Sequence, residues 1–265
     1  MSTPPNQPDV QSQRFTPLEK KDVAVVVPTR NSAATLRQCL ESIKAQQHPC
    51  TLVVVDNDST DDTPSIASEL ADVVLDTGPE RSAQRNAGAA ATDAGIVGFI
   101  DSDMELPPEV VGEAVSAILA GAATVLVPER TVGEGYWAEV RAYERTFYQG
   151  SDAIEAPRFF RREVFDLAEG FDEAMTGGED WDLGMRTVKG GHQVRVNTMV
   201  IHHEGHVRYL DACRKKAYYA PGDARLLANH GAQGLRWHHA APGGDNPMQL
   251  PHRSVSGCSP LRLER

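Results

Sequence analysis

The sequence is poor in cysteine, and its four cysteines, Cys39, Cys50, Cys213 and Cys258, form no C-x-x-C pair. Neither a zinc knuckle nor a disulfide framework is expected, and a reducing cytoplasm is the default compartment. No apolar run approaches the ~20 residues that span a bilayer. The polar, proline-bearing N-terminus also lacks the apolar core of a signal peptide, so secretion and membrane spanning are both disfavoured. Basic residues are in deficit: 26 Lys and Arg against 37 Asp and Glu give a formal charge of −11. That balance suits neither nucleic-acid phosphate nor an anionic bilayer, although a weak membrane-surface contact stays open. There is no internal repeat. What is present is ordinary for a globular protein: 265 residues, 40% hydrophobic and 24% charged. Such a chain can bury a core without disulfide or metal staples.

Regular elements start after a polar lead-in over residues 1–21. Residues 23–27 are a continuous, mostly β-branched run, the pattern of a strand covered on both faces, stopped by Pro28. Asn31 or Ser32 can cap a helix whose Leu36, Leu40 and Ile43 share one stripe. Residues 52–55 repeat the buried-strand signal and end at Asp56. Asp62-Thr63-Pro64 opens a second helix, followed by a strand over 73–75, an Ala-rich helix over 82–92 and a strand over 96–100. A helical stripe of Val110, Val111, Ala114 and Ile118 and a strand over 124–127 continue the alternation. This order predicts an α/β fold with a mainly parallel central sheet and helices on both faces. Sheets of that kind bind ligands beyond the carboxyl ends of their strands. The strand-ending groups Pro28-Thr29-Arg30, Asp56-Asn57-Asp58 and Asp101-Ser102-Asp103 are therefore the first candidates for chemistry.

From Gly133 the alternation loosens. Tyr136, Trp137, Tyr143, Phe147 and Tyr148 fall on an expected helix, followed by Phe159-Phe160. Short strands are expected at 194–196 and 199–201, with His202, His203 and His206 just after the second. After Gly222 the composition turns to Gly, Pro, His and Asn, so residues 221–265 are expected to be a weakly ordered tail.

Asp101 and Asp103 offer hard oxygen ligands at the ligand edge. A divalent ion held by one or two carboxylates keeps positions open for phosphate oxygens. The triplet alone also suits a helix cap, a solvated turn or a phosphatase-type nucleophile. Glu179-Asp180-Trp181-Asp182 begins an expected helix, where an ionised Asp can take a proton from a hydroxyl, or simply cap the helix. Any of the three histidines could complete a coordination shell begun by Asp103. Arg81, Arg85 and Asn86 open the Ala-rich helix, where Arg can grip a phosphate or a base edge or remain solvated. Arg208 with Arg214-Lys215-Lys216 is a diphosphate clamp, a hydrated helix face or a weak membrane-surface contact. Gln233-Gly234-Leu235-Arg236-Trp237 matches a Q-x-x-R-W string of polysaccharide synthases, here without membrane helices, and is read as coincidence.

Taken together, from about Val23 to Tyr219, these strings resemble the GT-A fold glycosyltransferases of family 2, inverting enzymes that use nucleotide-activated sugars. Pro28-Thr29-Arg30-Asn31 is similar to the family's P-x-x-N turn, residues 55–61 to its V-D-[DN]-x-S-x-D segment, and Arg85-Asn86-Ala87-Gly88 to its R-N-x-G helix. Phe99-Ile100-Asp101-Ser102-Asp103 resembles its D-x-D strand, Glu179-Asp180-Trp181-Asp182-Leu183 its E-D-x-x-L segment, and His202-His203-Glu204-Gly205 an H-x-E-G segment of some members. Asn57 stands where many members carry Asp, and Asp58 where Gly is frequent.

The resemblance implies a donor-binding set of Pro28, Thr29, Arg30, Asp56, Asn57, Arg85, Asp101, Ser102 and Asp103. Within it, Thr29, Asn57 and Arg85 would line a uracil-type base pocket, with Asp56 nearby. Asp103 and His202 would ligate Mn²⁺ or Mg²⁺, with Asp101 on the metal or its water shell, and Asp180 would be the catalytic base. The implied partners are a UDP-sugar donor and a hydroxyl acceptor of unknown identity. The expected organisation is a flexible segment over 1–21, a catalytic domain over 22–220 and a tail over 221–265. The domain divides into a nucleotide-sugar half at 22–130 and an acceptor half at 131–220, with the aromatic stretch from Tyr136 to Phe160 as acceptor wall. A sugar-1-phosphate nucleotidyltransferase and a non-catalytic sugar-nucleotide-binding protein are the competing readings.

Overall fold

The structure is a computed structural model that describes residues 22–147, 149–150, 155–207 and 209–231. The first half is a run of βα units: β1 (Val23–Thr29), α1 (Ala33–Lys44), β2 (Thr51–Asp56), α2 (Thr63–Leu70), β3 (Val73–Asp76), α3 (Arg81–Ala90) and β4 (Ile96–Phe99). The four strands are parallel neighbours in the order β3-β2-β1-β4. All seven residues of β1 are buried, which accounts for its unbroken apolar run. Val23, Val25 and Val27 face the layer containing Leu36, Leu40, Ile43 and Ile66. Val26 faces the opposite layer with Ala89, Phe99, Phe160, Phe165 and Phe171. Successive side chains of a strand point to opposite faces, so one strand serves both layers.

The second half adds β5 (Met104–Glu105), α4 (Val110–Leu119), β6 (Thr124–Leu126), β7 (Glu129–Glu134), α5 (Tyr136–Thr146), β8 (Pro157–Arg161), α6 (Arg162–Leu167), α7 (Glu179–Thr187), β9 (Gln193–Arg195), β10 (Val200–His206) and α8 (Tyr209–His230). The large sheet continues through β8, β6 and β9 to seven strands. Strand β8 runs antiparallel to both β4 and β6, so the sheet is mainly but not wholly parallel. A second sheet, β5-β10-β7, pairs His202 with Met104 on one side and Thr131 on the other. It carries the histidine segment alongside the D-x-D turn.

The structure corrects the reading of the second half in three places. The histidines do not follow a strand but lie within β10, because that segment finds two partners, β5 and β7. Phe159 and Phe160 are fully buried in β8 and cannot form a wall, whereas α5 exposes Tyr136, Trp137 and Tyr143, and Phe147 just past its end is exposed too. The last helix does not stop at 220: it runs through Pro221 and Gly222 to His230. Long-range anchors outweigh its composition: Leu226 is buried, Arg225 Nε donates to Asp172 at 2.8 Å, and His230 Nε2 lies 2.8 Å from Asp182 Oδ1. The expected lead-in over 1–21, Tyr148, Arg208 and the stretch 232–265, including the Q-x-x-R-W string, lie outside the described residues. Among the described residues, no helix is long and apolar enough to cross a membrane.

Candidate active site

Three strand ends meet at one edge of the large sheet, tied by local chemistry. Asn31 adopts a left-handed backbone, φ 49°, and its Oδ1 accepts the Thr60 N–H at 2.9 Å. Helix α1 starts at Ser32 without a cap from its own side chain; instead Thr63 Oγ1 accepts the Ser32 N–H and Asp61 Oδ2 accepts the Ala33 N–H. These bonds lace the P-T-R-N turn to the D-N-D-S-T-D segment. Thr29 is buried with an unpartnered Oγ1, while its carbonyl accepts from Asn57 N–H and Gln84 Nε2. Asp56 accepts from the Ser59 N–H and hydroxyl, and Asn57 Nδ2 donates to the Pro79 carbonyl. Pro28 pairs with Val55 inside the sheet, Arg30 is exposed, and the Ser102 hydroxyl donates to Ser32 Oγ at 3.0 Å.

Arg85 stands beneath this edge. Gly88 lets α3 press onto β1, since a Cβ there would lie 2.3 Å from Val26 Cγ1, and one turn earlier Arg85 is left only 1% exposed. Its guanidinium donates to Asp101 Oδ1 and Asp180 Oδ1 at 2.7 Å each and to Glu179 Oε1 at 3.2 Å, over the Phe171 ring. Arg81 adds a second contact to Glu179 at 3.0 Å. Burial disfavours the charge on Arg85, but Asp180, Asp101 and Glu179 outweigh it and raise its pKa. Asp101 shows the converse: burial opposes ionisation, yet Arg85 and Arg158 hold its carboxyl well below the usual range. Burial and the neighbouring Asp180 push Glu179 up. The guanidinium implied for the base pocket is thus engaged by three carboxylates from two distant segments. Asp180 sits in the first turn of α7, after Gly178 in the left-handed conformation (φ 72°), and remains 39% exposed.

A second corner forms around Asp103. His203 N–H donates to the Asp103 carbonyl at 2.8 Å, and His202 Nε2 lies 3.2 Å from Asp103 Oδ2. His203 itself turns to Glu105 at 3.1 Å, so of the two neighbours His202 is the one brought to Asp103. Burial alone would lower the His202 pKa, but Asp103 and Glu129 raise it to about 9. Asp103 Oδ1 is buried and has no hydrogen-bond partner. An orphaned carboxylate oxygen beside an imidazole nitrogen suits a hard or borderline divalent ion, and 3.2 Å is close to the ~3 Å edge between adjacent ligands on a Mg²⁺-sized octahedral ion. Asp101 does not complete a direct ligand set, since Arg85 holds its Oδ1 and Arg158 lies 3.6 Å from its Oδ2. Among the described residues no three His, Cys, Asp or Glu side chains cluster as a closed metal site. Two protein ligands are what an ion shared with phosphates requires.

Sequence reasoning missed the groups that join these corners. Arg158 Nη2 donates to Glu129 Oε1, and Glu129 Oε2 lies 3.4 Å from His202 Nδ1 and accepts from Arg145 at 3.1 Å. An unbroken series of contacts therefore runs from Asp180 through Arg85, Asp101, Arg158, Glu129 and His202 to Asp103. No local motif marks Glu129 or Arg158. Glu179 was legible as the first letter of E-D-x-x-L, but nothing adjacent to it signals Arg85 as its partner.

The family model for glycosyl transferase family 2 matches residues 24–173, more than half of the chain. In sequence the chain is 27% identical over 232 residues to the pre-mycofactocin glycosyltransferase of Mycobacterium tuberculosis, covering 79% of this chain and 48% of that protein. It is 26% identical over 192 residues to the glycosyltransferase AglE of Haloferax volcanii, covering 65% and 63%. The chain thus spans about half to under two thirds of the length of the curated relatives it matches. In structure it is similar to S. aureus TarS in complex with UDP-GlcNAc, with a TM-score of 0.59, 18% identity and coverage of 77% of this chain and 66% of that one. It is also similar to glucosyl-3-phosphoglycerate synthase of M. tuberculosis, with a TM-score of 0.56, 23% identity and coverage of 79% and 78%. These structural similarities show the GT-A fold. With the family model spanning β1 to the loop before α7, the chain belongs to glycosyl transferase family 2.

Proposed function

We propose that the chain is an inverting glycosyltransferase that moves a sugar from a nucleoside-diphosphate sugar, a UDP-sugar by preference, to an acceptor hydroxyl. The observation that carries this reading is the shared guanidinium of Arg85. It brings the D-x-D carboxylate Asp101 and the α7 carboxylate Asp180 to one side chain at the sheet's ligand edge. Asp180 would accept the acceptor's hydroxyl proton as that oxygen attacks the anomeric carbon. The new C–O bond forms opposite the bond to the diphosphate, which leaves with its electron pair, so a single displacement inverts the centre. Thr29, Asn57 and Asp56 would sit at the base end of the donor, with Pro28, Arg30 and Ser102 along the same rim. The exposed aromatic face of α5 (Tyr136 69%, Tyr143 67% exposed) would flank the acceptor.

The same reading assigns Asp103 and His202 to a divalent cation. Glucosyl-3-phosphoglycerate synthase has been crystallised with UDP and Mn²⁺ or Mg²⁺, and a Pyrobaculum calidifontis mannosyltransferase with GDP-Man and Mn²⁺. When bound, such an ion neutralises charge gathering on the departing diphosphate. Membership of family 2 leaves the nucleotidyltransferase reading without support. Incubating the purified chain with Mn²⁺ and a panel of nucleotide sugars should release nucleoside diphosphate from one donor class by slow hydrolysis. No release from any donor counts against the reading, and a product that keeps the donor's anomeric configuration excludes single displacement.

A further inference from the structure

Glu129 is assigned no part in the proposed transfer step, yet its Oε2 lies 3.4 Å from His202 Nδ1, a position from which the ring can be aimed. An imidazole that gives a lone pair to a metal at Nε2 carries its hydrogen at Nδ1, and that hydrogen needs an acceptor. Two groups lie beside Nδ1: the Arg145 guanidinium at 3.0 Å and Glu129 Oε2 at 3.4 Å. A guanidinium has donors only and cannot accept. Arg145 also lies 3.1 Å from Glu129 Oε2, so both donors converge on that one oxygen, and its second arm reaches Glu204 at 3.3 Å. The remaining Glu129 oxygen is taken by Arg158, whose other nitrogen faces Asp101 Oδ2 at 3.6 Å. Both oxygens of Glu129 are thereby engaged, one by Arg158 and one by Arg145, with the ring nitrogen 3.4 Å from the second.

Backbone pairing holds this geometry in register. In the parallel pair of β7 and β10, Glu129 is opposite Val200 and Thr131 opposite His202. Residues two apart on a strand share a face, so Glu129 and His202 point to the same side of the small sheet.

We infer that Glu129 is a positioning residue for the cation site: it accepts from His202 Nδ1 and so presents Nε2 beside Asp103, while Arg158 anchors Glu129. This rests on the reading of Asp103 and His202 as the divalent-ion ligands. The test is the Mn²⁺ affinity of the purified chain with UDP present, followed by electron paramagnetic resonance of free Mn²⁺. Wild type is compared with Asp103→Ala, Glu129→Ala and the near-isosteric Glu129→Gln. Loss of an orienting carboxylate typically weakens metal binding about 10- to 100-fold. Glu129→Ala should fall in that range, with Glu129→Gln between it and wild type because an amide oxygen can still accept. Turnover should recover most of its wild-type value at saturating Mn²⁺, a split that general damage to the fold would not give. If Glu129→Ala does not fold, Glu129→Gln carries the test alone. Unchanged Mn²⁺ affinity in a folded Glu129 variant, with binding lost in Asp103→Ala, overturns this inference and leaves the metal reading standing. Absence of Mn²⁺ binding by wild type, or full binding by Asp103→Ala, overturns both.

Discussion

Arg85 and Asp180 are 95 residues apart in sequence and 2.7 Å apart in the structure. Helices α3 and α7 are therefore joined by a charge-assisted hydrogen bond, of the kind that is short and directional. The same guanidinium holds Asp101, so the geometry between the D-x-D turn and the proposed base is set by one side chain.

Replacing Arg85 by Lys keeps a charge but cannot span three carboxylates. Glu179 is almost fully buried and Asp101 largely so, and leaving such groups short of a partner costs about 3–5 kcal/mol. Urea unfolding of Arg85→Lys should show a loss of that size. A midpoint equal to wild type would mean that the three carboxylates do not depend on this residue.

Asp180→Asn removes one of three carboxylates from Arg85 and leaves Asp101 and Glu179 in place. Donor binding should persist while turnover falls about 10²- to 10⁴-fold, the usual contribution of a general base. Equilibrium binding of UDP and steady-state kinetics separate the two. Normal turnover would remove Asp180 as base.

For Asp103→Ala, UDP binding in the presence of Mn²⁺ should drop to the level of wild type treated with a chelator. Calorimetry with and without chelator reads this directly. A variant whose UDP affinity still responds to Mn²⁺ would place the ion elsewhere.

Acid should release the end of α8. Burial raises the Asp182 pKa, but His230, Arg186 and Asn229 outweigh it and lower it below its unfolded value. A depressed carboxylate pKa adds stability that is complete above the unfolded value of about 3.9 and fades as pH falls through the folded value. Hydrogen exchange in α8 should stay slow from neutral pH to about 4 and quicken below it. In Asp182→Asn it should already be faster at neutral pH and lose that acid step. Identical exchange in variant and wild type would show that this contact does not hold the helix.

The first half of the fold was legible because each of its elements announces itself locally. Buried parallel strands read as apolar runs, as over residues 23–27, and helices as stripes such as Leu36, Leu40 and Ile43. Strand β10 gave no such signal beyond its first residues, since a stretch reading His-His-Glu-Gly-His becomes a strand only by pairing with β5 and β7. The reversed direction of β8 was likewise invisible, being a property of three strands together. The site divides the same way. Asp101, Asp103, Asp180 and His202 stood in recognisable strings, and the structure links them in one network. Glu129 and Arg158 acquire their roles only through contacts with residues tens of positions away.

Helix α8 crosses behind the Gly177-Gly178 turn so closely that a Cβ on Gly222 would lie 2.1 Å from the Gly177 carbonyl oxygen. That turn leads directly into Asp180. A chain cut short before Gly222 would retain both core layers and the Asp103 corner, yet Asp180, the proposed base, would stand on an unbacked hinge. Selectivity among alcohols could then be retuned from the far end of the polypeptide, by altering the brace and leaving every group that meets the sugar untouched.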